Sequence, residues 1–281
     1  MATEALRPEL DRHVLRERVL GADSPWRSLD VVAETGSTNA DLLARAAAGA
    51  DITGDVLLAE YQAAGRGRHG RTWSAPPRSQ LSVSVGVSAA NVPTDAWGWL
   101  PLLTGVAVVD AVREICGLQV GLKWPNDVLA PNGKLAGILA EVASPAPAIV
   151  VGLGLNVTLS ADEAPDAGAT SLLLLGHGEV DRTALAATLL HHLGARIAAW
   201  QRSAGPDAAL LDDYVRHSLT LGTPVRAQLP GGNEITGTAT HVDRLGRLGI
   251  DDGAGGVTVS AGDITHLRPI QRSSARDITT R

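Results

Sequence analysis

A basic, glycine-rich stretch at residues 62–73 constrains the fold of this chain more than any other feature. Three glycines and three arginines alternate within it, with one histidine and no acid, directly after an apolar run at residues 56–61 that is typical of a buried strand. Glycine allows positive φ angles and close approach of a ligand, and arginine offers planar, permanently charged donors to phosphate or carboxylate oxygens. We therefore expect a buried strand and then a loop that is mobile when empty and folds over an anion.

A nucleotide-binding P-loop is one alternative for this stretch. Gly65-x4-Gly70-Arg71-Thr72 departs from the P-loop pattern by arginine in place of lysine. A P-loop must, however, open a helix whose N-terminus holds the phosphates. Pro76 and Pro77 follow and are incompatible with such a helix. A plain solvated surface loop has the same composition, so that alternative stays open at this point.

The bulk properties of the chain limit the classes of protein it can belong to. Its 281 residues suit one large or two unequal domains, and its net charge of −6 argues against a general nucleic-acid binder. A single cysteine, Cys116, excludes an internal disulfide and favours a reducing cytoplasm. Residues 1–18 lack the apolar core of a signal peptide, and no apolar run reaches the roughly 18 residues needed to span a membrane.

Apolar periodicity predicts an α+β main domain with a mixed sheet. The predicted strands are 30–34, 56–61, 81–87, 120–124, 127–130, 134–142 and 148–157. The predicted helices are a short one before residue 28, one starting at the Ser37-Thr38-Asn39 turn, 97–115, 181–200 and 207–217. Thr38 and Asp41 fit a capping box, and strand 81–87 alternates as if one of its faces were buried.

A change of composition after Thr220 predicts a second, smaller unit. Five short strand-like runs between residues 221 and 267 are separated by glycine-rich turns, which is the pattern of a small β-barrel. The predicted organisation is an approach segment at 1–28, a catalytic domain at 29–219, a barrel at 220–268 and a disordered tail at 269–281.

Most common catalytic and cofactor sites lack support in this sequence. Cys116 fits a small buried hydrophobe, His191 and His192 are adjacent on a helix and point apart, and Gly152-x-Gly154 lacks the third glycine of a dinucleotide fingerprint. What remains is a set of cations on turns and strand ends, namely Arg66, Arg68, Arg71, Lys123 and Lys134. Converging cations without a nucleophile suit charge stabilisation on phosphates. Asp127 fits a Mg²⁺ ligand, a general base or a turn residue.

Five short motifs then stand in order along the chain. They are Gly36-Ser37-Thr38-Asn39, the stretch 60–73, Lys123-Trp124-Pro125-Asn126-Asp127, the stretch 133–139 and Gly152-x-Gly154-x-Asn156. Each is weak alone, whereas five in this order are specific. The set resembles the motifs of biotin protein ligases (biotin–acetyl-CoA-carboxylase ligases), and the resemblance covers about residues 31–267.

The resemblance implies a mixed-sheet catalytic domain of the biotin/lipoate ligase type with a C-terminal SH3-like barrel. It implies two half-reactions: biotin and MgATP give biotinyl-5′-AMP and pyrophosphate, and a lysine of a biotin carboxyl carrier domain then attacks the adenylate. ATP and Mg²⁺ are co-substrates, and no prosthetic group is expected. We expect a cytoplasmic monomer or weak homodimer that serves an acyl-CoA carboxylase.

The resemblance also implies three overlapping sets of site residues. The biotin-binding set is Ser37, Thr38, Asn39, Gln62, Gly65, Arg66, Gly67, Arg68, Lys123 and Gly137. The ATP and adenylate set is Arg66, Arg68, Arg71, Trp73, Asn126, Lys134 and Asn156. The catalytic set is Lys134, Lys123, Arg68 and Asp127, with Mg²⁺ expected on the ATP phosphates near Asp127.

Two other functions compete with that of a biotin protein ligase. A lipoate or octanoate ligase would share the fold but have an apolar acyl pocket, whereas Ser37, Thr38, Asn39 and Gln62 suit a polar ureido ring. A non-catalytic biotin or nucleotide sensor would not need Lys123 and Lys134.

Family members that double as repressors carry a winged helix ahead of the first motif. Here that motif begins at residue 36, so we expect no such domain and no binding to DNA.

Overall fold

The computed structural model describes residues 7–145, 147–165, 168–228 and 234–260 and the backbone of strand 266–269. The helices are α1 Arg12–Val19, α2 Thr38–Ala47, α3 Trp99–Cys116, α4 Arg182–Arg202 and α5 Ala208–His217. The first seven strands are β1 Ser28–Val32, β2 Asp55–Ala59, β3 Gln80–Ser88, β4 Gly121–Lys123, β5 Asp127–Ala130, β6 Gly133–Val142 and β7 Ala148–Asn156. The others are β8 Pro224–Gln228, β9 Glu234–Val242, β10 Leu248–Asp251, β11 Val257–Val259 and β12 His266–Pro269. The predicted tail lies outside the described residues beyond Pro269.

The first seven strands form one mixed sheet, as the sequence predicts. Their order across the sheet is β1-β2-β3-β7-β6-β5-β4. β1 runs parallel to β2, and each other neighbouring pair in this sheet is antiparallel. The long antiparallel pairs of β3, β7 and β6 fix the centre of the sheet, and the β5–β6 hairpin that the sequence predicts closes at Ala130 and Gly133.

One face of the sheet packs against α3 and α4. The apolar stripe predicted on α4 is buried throughout, with Leu185, Leu189, Leu193, Ile197 and Trp200 at most 4% exposed. Asp181 accepts from the backbone N–H groups of Thr183 and Ala184 and so caps α4 as predicted. Truncating a leucine of this stripe to alanine is expected to cost about 2–5 kcal/mol of stability, because a cavity is left in the core.

The opposite face of the sheet packs against α2 and carries most of the polar and glycine residues of the central strands. Leu42 and Ala46 of α2 pack on Leu57 and Val150 of the sheet. The prediction that β3 has one buried face is wrong, because Ser82 and Ser84 on its second face are also buried. That face is not open to solvent, since α2 lies over it beside a ligand-sized cleft.

The start of α2 also differs from the prediction. Its N-cap is Ser37, whose hydroxyl faces the backbone N–H of Ala40 at 3.5 Å, so the capping box on Thr38 is wrong. Asp41 instead accepts a hydrogen bond from Thr35 Oγ1 at 2.5 Å. Moving the cap back by one residue places Thr38 inside the helix and turns its side chain towards the sheet.

The last five strands form the small SH3-like unit, a second sheet in the order β11-β10-β9-β8-β12. Its turn between β9 and β10 contacts the catalytic unit through two tryptophans. Trp99 Nε1 donates to Asp243 O at 3.1 Å, and Trp124 Nε1 donates to Gly246 O at 3.0 Å. Apolar residues of both units belong to one continuous core.

Candidate active site

A cleft of about 720 Å³ opens on the α2 face of the sheet and brings together residues of all five sequence motifs. Every site residue predicted from the sequence lines this cleft except Gly65. Gly65 lies at the base of the basic stretch, where its carbonyl accepts from Trp73 N at 2.8 Å. The roles assigned to the individual residues stay predictions, but their juxtaposition is a property of the fold.

Glycines on β6 and β7 form the floor of the cleft because other side chains need the space above them. A Cβ at Gly154 would overlap the Trp73 indole, and a Cβ at Gly152 would overlap the Asn39 carboxamide. A Cβ at Gly137 would lie 2.9 Å from Trp73 Cζ3. These glycines are therefore required by close approach of side chains to the backbone and not by unusual φ angles.

One end of the cleft is a polar corner built from Thr38, Asn39, Gln62 and Ser84, and this name is kept below. Gln62 Oε1 accepts from Thr38 N at 2.9 Å and lies 3.1 Å from Thr38 Oγ1. Ser84 Oγ lies 2.7 Å from Thr38 Oγ1 and 2.6 Å from Asn39 Oδ1. Asn39 Nδ2 donates to Leu139 O at 3.2 Å.

The number of available protons determines which groups of this corner donate hydrogen bonds and which accept them. Asn39 Oδ1 carries no proton, so the single hydroxyl proton of Ser84 goes to it. The Thr38 hydroxyl then donates to Ser84 or to Gln62, and the two N–H bonds of Gln62 Nε2 stay available for a ligand carbonyl. The corner can thus both accept from and donate to a small polar ring.

The other end of the cleft holds two lysines around one carboxylate. Lys134 Nζ lies 2.7 Å from Asp127 Oδ1, and Lys123 Nζ lies 4.0 Å from Asp127 Oδ2. The strands set this arrangement, because Asp127 is directly opposite Lys123 on β4 and opposite Gly137 on β6. Lys134 Nζ also lies over the Trp73 ring, 5.2 Å from its centroid, in a cation–π geometry.

Arg68 adds a third cation to this end. Its Nη1 donates to Asn126 Oδ1 at 3.3 Å, and Asn126 Nδ2 in turn donates to Ile138 O at 2.9 Å. Burial lowers the pKa of Arg68, Asp127 raises it, and the like charge of Arg71 lowers it further. A guanidinium stays charged at neutral pH even so, so this side chain is a partly desolvated cation that is ready to bind an anion.

The basic stretch is folded as a short hairpin over the cleft. Gly67 N donates to Arg71 O at 2.7 Å, and Arg66 and Thr72 form an isolated bridge. At its tip, Arg68–Gly70 form a single 3-10 turn in which His69 has a left-handed φ of 56°. β3 begins at Gln80 without an intervening helix, as the rejection of a P-loop requires.

Four parts of the site were missed by sequence reasoning. Sequence analysis places Ser84 only in strand 81–87 and gives Gln80 no role, yet Ser84 completes the polar corner and Gln80 Oε1 accepts from Trp73 Nε1 at 2.6 Å. Glu141 binds Arg66, and the segment 168–170 borders the cleft near Lys134 and Asn156. The alternation of serine with valine in 81–87 is a usable signal, but alone it predicts a strand with one buried face and leaves the serines on the other face.

Among the side chains that the structure describes, no group of three or more His, Cys, Asp or Glu is arranged to hold a metal ion. None of the described helices is both long and apolar enough to cross a membrane.

The chain is similar in sequence to known protein families and to individual curated proteins. Residues 37–156 match the biotin/lipoate A/B protein ligase family, and residues 220–267 match the biotin protein ligase C terminal domain. The biotin–[acetyl-CoA-carboxylase] ligase of Mycobacterium tuberculosis is 56% identical over 94% of this chain and 98% of its own length. The bifunctional ligase/repressor BirA of Escherichia coli is 33% identical over 79% of this chain and 68% of its own length.

A solved structure agrees with these sequence relatives. The biotin protein ligase from Aquifex aeolicus in complex with biotin and ATP has a TM-score of 0.74 and 26% identity, and it covers 87% of this chain and 100% of that one. The mixed sheet, the glycine-floored cleft and the converging cations define a catalytic domain of the biotin/lipoate ligase class. Within that class, the chain belongs to the biotin protein ligase family.

Proposed function

We propose that the protein is a biotin–[acetyl-CoA-carboxylase] ligase. It activates biotin with MgATP to biotinyl-5′-AMP, releases pyrophosphate, and transfers the biotinyl group to a lysine of a biotin carboxyl carrier domain. The observation that carries this proposal is the cleft itself, which joins a polar corner for a ureido ring to a cluster of cations around a single carboxylate.

The first half-reaction brings together two anions. A biotin carboxylate oxygen attacks the α-phosphorus of ATP, and the bond from that phosphorus to the bridging oxygen of pyrophosphate breaks. Two unit charges 4 Å apart repel by about 4 kcal/mol at an effective dielectric constant of 20. Lys123, Lys134 and Arg68 face the same volume and offset this repulsion, and their donors stabilise the charge that develops on the phosphate.

Mg²⁺ arrives as part of the nucleotide substrate. This ion typically keeps several waters and binds one or two carboxylates together with substrate phosphates. Asp127 is the one carboxylate among the described residues that line the cleft, so it fits a single protein ligand to such an ion. To fill that role it would have to share its oxygens with Lys134.

The second half-reaction needs a free amine. A lysine has a reference pKa of about 10.4, so under one part in a thousand is deprotonated at neutral pH. The amine attacks the acyl carbon of the adenylate, the bond to the phosphate oxygen breaks, and AMP leaves. We propose that Asp127 orients the incoming ammonium or accepts its proton, since no other acid lines the described part of the cleft.

The polar corner favours biotin over lipoate or octanoate. Its hydroxyl and carboxamide groups are buried or nearly so, with Thr38 and Asn39 at 3% and 4% exposure and Ser84 at 0%. These groups bond to one another, and an acyl chain without polar atoms would offer no acceptor to the remaining Gln62 Nε2 donors, which costs affinity. The cytoplasmic location, the monomer or weak homodimer and the absence of DNA binding stay predictions and form part of this proposal.

Pyrophosphate exchange tests the proposal directly. Labelled pyrophosphate is incubated with ATP and with biotin, lipoate or octanoate, and a purified carrier domain is added in a second assay. We expect exchange with biotin alone and transfer to the carrier lysine. Exchange with lipoate or octanoate instead would identify a lipoate-type ligase, and no exchange with any acid would indicate a sensor. Lys134→Ala, expected to be folded and inactive, controls for contaminating activity.

A further inference from the structure

Glu141 lies between the basic hairpin and the polar corner and contacts both. Its Oε1 lies 2.8 Å from Arg66 Nη2 in the basic hairpin, and its Oε2 accepts from Asn39 Nδ2 at 2.8 Å in the polar corner. It does not itself line the cleft. We infer that Glu141 is a positioning residue, which couples the placement of the basic hairpin to the donor and acceptor pattern of the polar corner; this inference rests on the proposed function.

The sheet gives Glu141 a rigid support. Gly137, Leu139 and Glu141 alternate along β6 and so share the face that looks towards α2. Glu141 lies opposite Val150 of β7, and Val150 packs beneath α2. A carboxylate anchored in this way can hold Arg66 in place, because its own backbone is fixed by the strand ladder.

The contact with Asn39 decides which way that carboxamide points. A carboxylate can only accept hydrogen bonds, so it selects the Asn39 nitrogen and turns Oδ1 towards Ser84. Leu139 O makes the same selection from a second side. The orientation of Asn39 in turn directs the Ser84 proton, and the two N–H bonds of Gln62 Nε2 stay available for the ligand.

The contact with Arg66 decides where the hairpin lies. Arg66 is 47% exposed, and Glu141 is 21% exposed, so the ion pair sits at the rim of the cleft and not in its interior. Arg66 bridges to Thr72 on the other arm of the hairpin, and a fixed Arg66 therefore holds both arms. One carboxylate thus serves substrate recognition through Asn39 and substrate enclosure through Arg66.

The two contacts predict two separable effects of Glu141→Gln. An amide at position 141 can present nitrogen to Asn39, so only Leu139 O is left to fix the Asn39 orientation, and we expect the KM for biotin to rise about tenfold, as for a lost charge-assisted hydrogen bond. Loss of the half-exposed ion pair is expected to speed release of biotinyl-adenylate about threefold. The kcat at saturating biotin is expected to change by less than about threefold, because no reacting atom is touched.

A double-mutant cycle separates the effects. In an Arg66→Gln background, Glu141→Gln is expected to leave adenylate release unchanged within about twofold, because the partner is already gone, while the effect on the biotin KM persists. Glu234→Gln is the matched control, since it removes a carboxylate that faces Arg226 in the C-terminal sheet at 3.8 Å, away from the cleft. Equal effects of Glu141→Gln on release in both backgrounds would overturn the role through Arg66.

Exchanging donor and acceptor tests the role through Asn39. Asn39→Asp places a carboxylate against Glu141 and is expected to weaken biotin binding strongly. Adding Glu141→Gln supplies an N–H donor to the new carboxylate and is expected to recover part of that binding. A double variant no better than Asn39→Asp alone would overturn the inference. Biotin-dependent exchange by the wild type separates this failure from a failure of the proposed function itself.

Discussion

Lys134 Nζ lies 2.7 Å from Asp127 Oδ1, so a lysine assigned to the phosphates is held by the one acid that lines the described part of the cleft. The same carboxylate faces Lys123 at 4.0 Å. Asp127 therefore has two possible functions, to orient the lysines in adenylate formation and to receive the acceptor amine in transfer.

Asp127→Asn keeps the shape of the side chain and removes its charge. We expect adenylate formation, measured as pyrophosphate exchange, to fall by less than about tenfold, since the amide oxygen can still accept from Lys134. Transfer to the carrier domain is expected to fall further and to recover in part as pH rises, because more of the acceptor amine is then deprotonated. Collapse of exchange would instead favour a role for Asp127 with Mg²⁺ or in placing Lys134.

Gly154→Ala is expected to weaken ATP binding selectively. The added methyl group would overlap the Trp73 indole, which lies beside Lys134 and is held by Gln80. Overpacking of this kind costs about 1–3 kcal/mol, so we expect the KM for ATP to rise about tenfold while the KM for biotin stays within about twofold. Gly21→Ala is the control, because a Cβ there meets open space. Equal changes in both KM values would show that the methyl disturbs the whole cleft.

The distribution of lysine predicts resistance to self-modification. The chain has 24 Lys and Arg residues, and its two lysines, Lys123 and Lys134, both line the cleft and face Asp127. A released acyl-adenylate reacts with free amines, so arginines at the surface give it no target. After incubation with biotin and MgATP without carrier, the intact mass of the wild type is expected to show no biotin on any side chain.

Arginine-to-lysine variants check that expectation. Arg71→Lys places an amine in the hairpin over the cleft and is expected to become biotinylated. Arg226→Lys, on the C-terminal sheet, is the matched control and is expected to react more slowly. Biotin found on Lys123 or Lys134 of the wild type would contradict the prediction.

The free energy of unfolding at acid pH is expected to depend on Glu163. A hydrogen bond from Arg7 at 2.5 Å is the main reason that the pKa of Glu163 falls from 4.5 to about 2, and Ser160 contributes further. Since the folded-state pKa is depressed, the stabilisation is complete above pH 4.5 and is lost as pH falls towards 2. Urea midpoints of Glu163→Gln are therefore expected to vary less with pH across this window than those of the wild type. Glu17→Gln, on the exposed side of α1, is expected to keep the wild-type pH dependence.

Local sequence signals predict much of the fold because they act over a few residues. The stripe on α4, its Asp181 cap and the turn at Asn132 between β5 and β6 each depend on periodicity or turn chemistry within one segment. The five motifs likewise predict which residues meet in the cleft. The number of residues between two motifs does not predict the distance between their side chains. The motifs meet because the strands and turns that carry them belong to one sheet.

What sequence could not predict depends on contacts between distant segments. Ser84 has the pattern of a solvent-facing position, and only the placement of α2 buries it. Glu141 has no local signal, because its partners Asn39 and Arg66 come from two other parts of the chain. The shift of the α2 cap from Thr38 to Ser37 has the same cause, since Thr38 bonds to Gln62 and Ser84.

The β9–β10 turn accepts hydrogen bonds from Trp99 and Trp124, so the two segments that match separate family models depend on each other for stability. Both indoles are at most 1% exposed, and Trp124 lies between Lys123 and Asp127 in the sequence. Cutting the chain after Leu219 would leave two buried N–H groups without acceptors and strip Trp124 of the turn that holds it. The two segments 37–156 and 220–267 match separate family models, but they are not independent packing units, because the turn that accepts from Trp124 supports the residue next to Lys123.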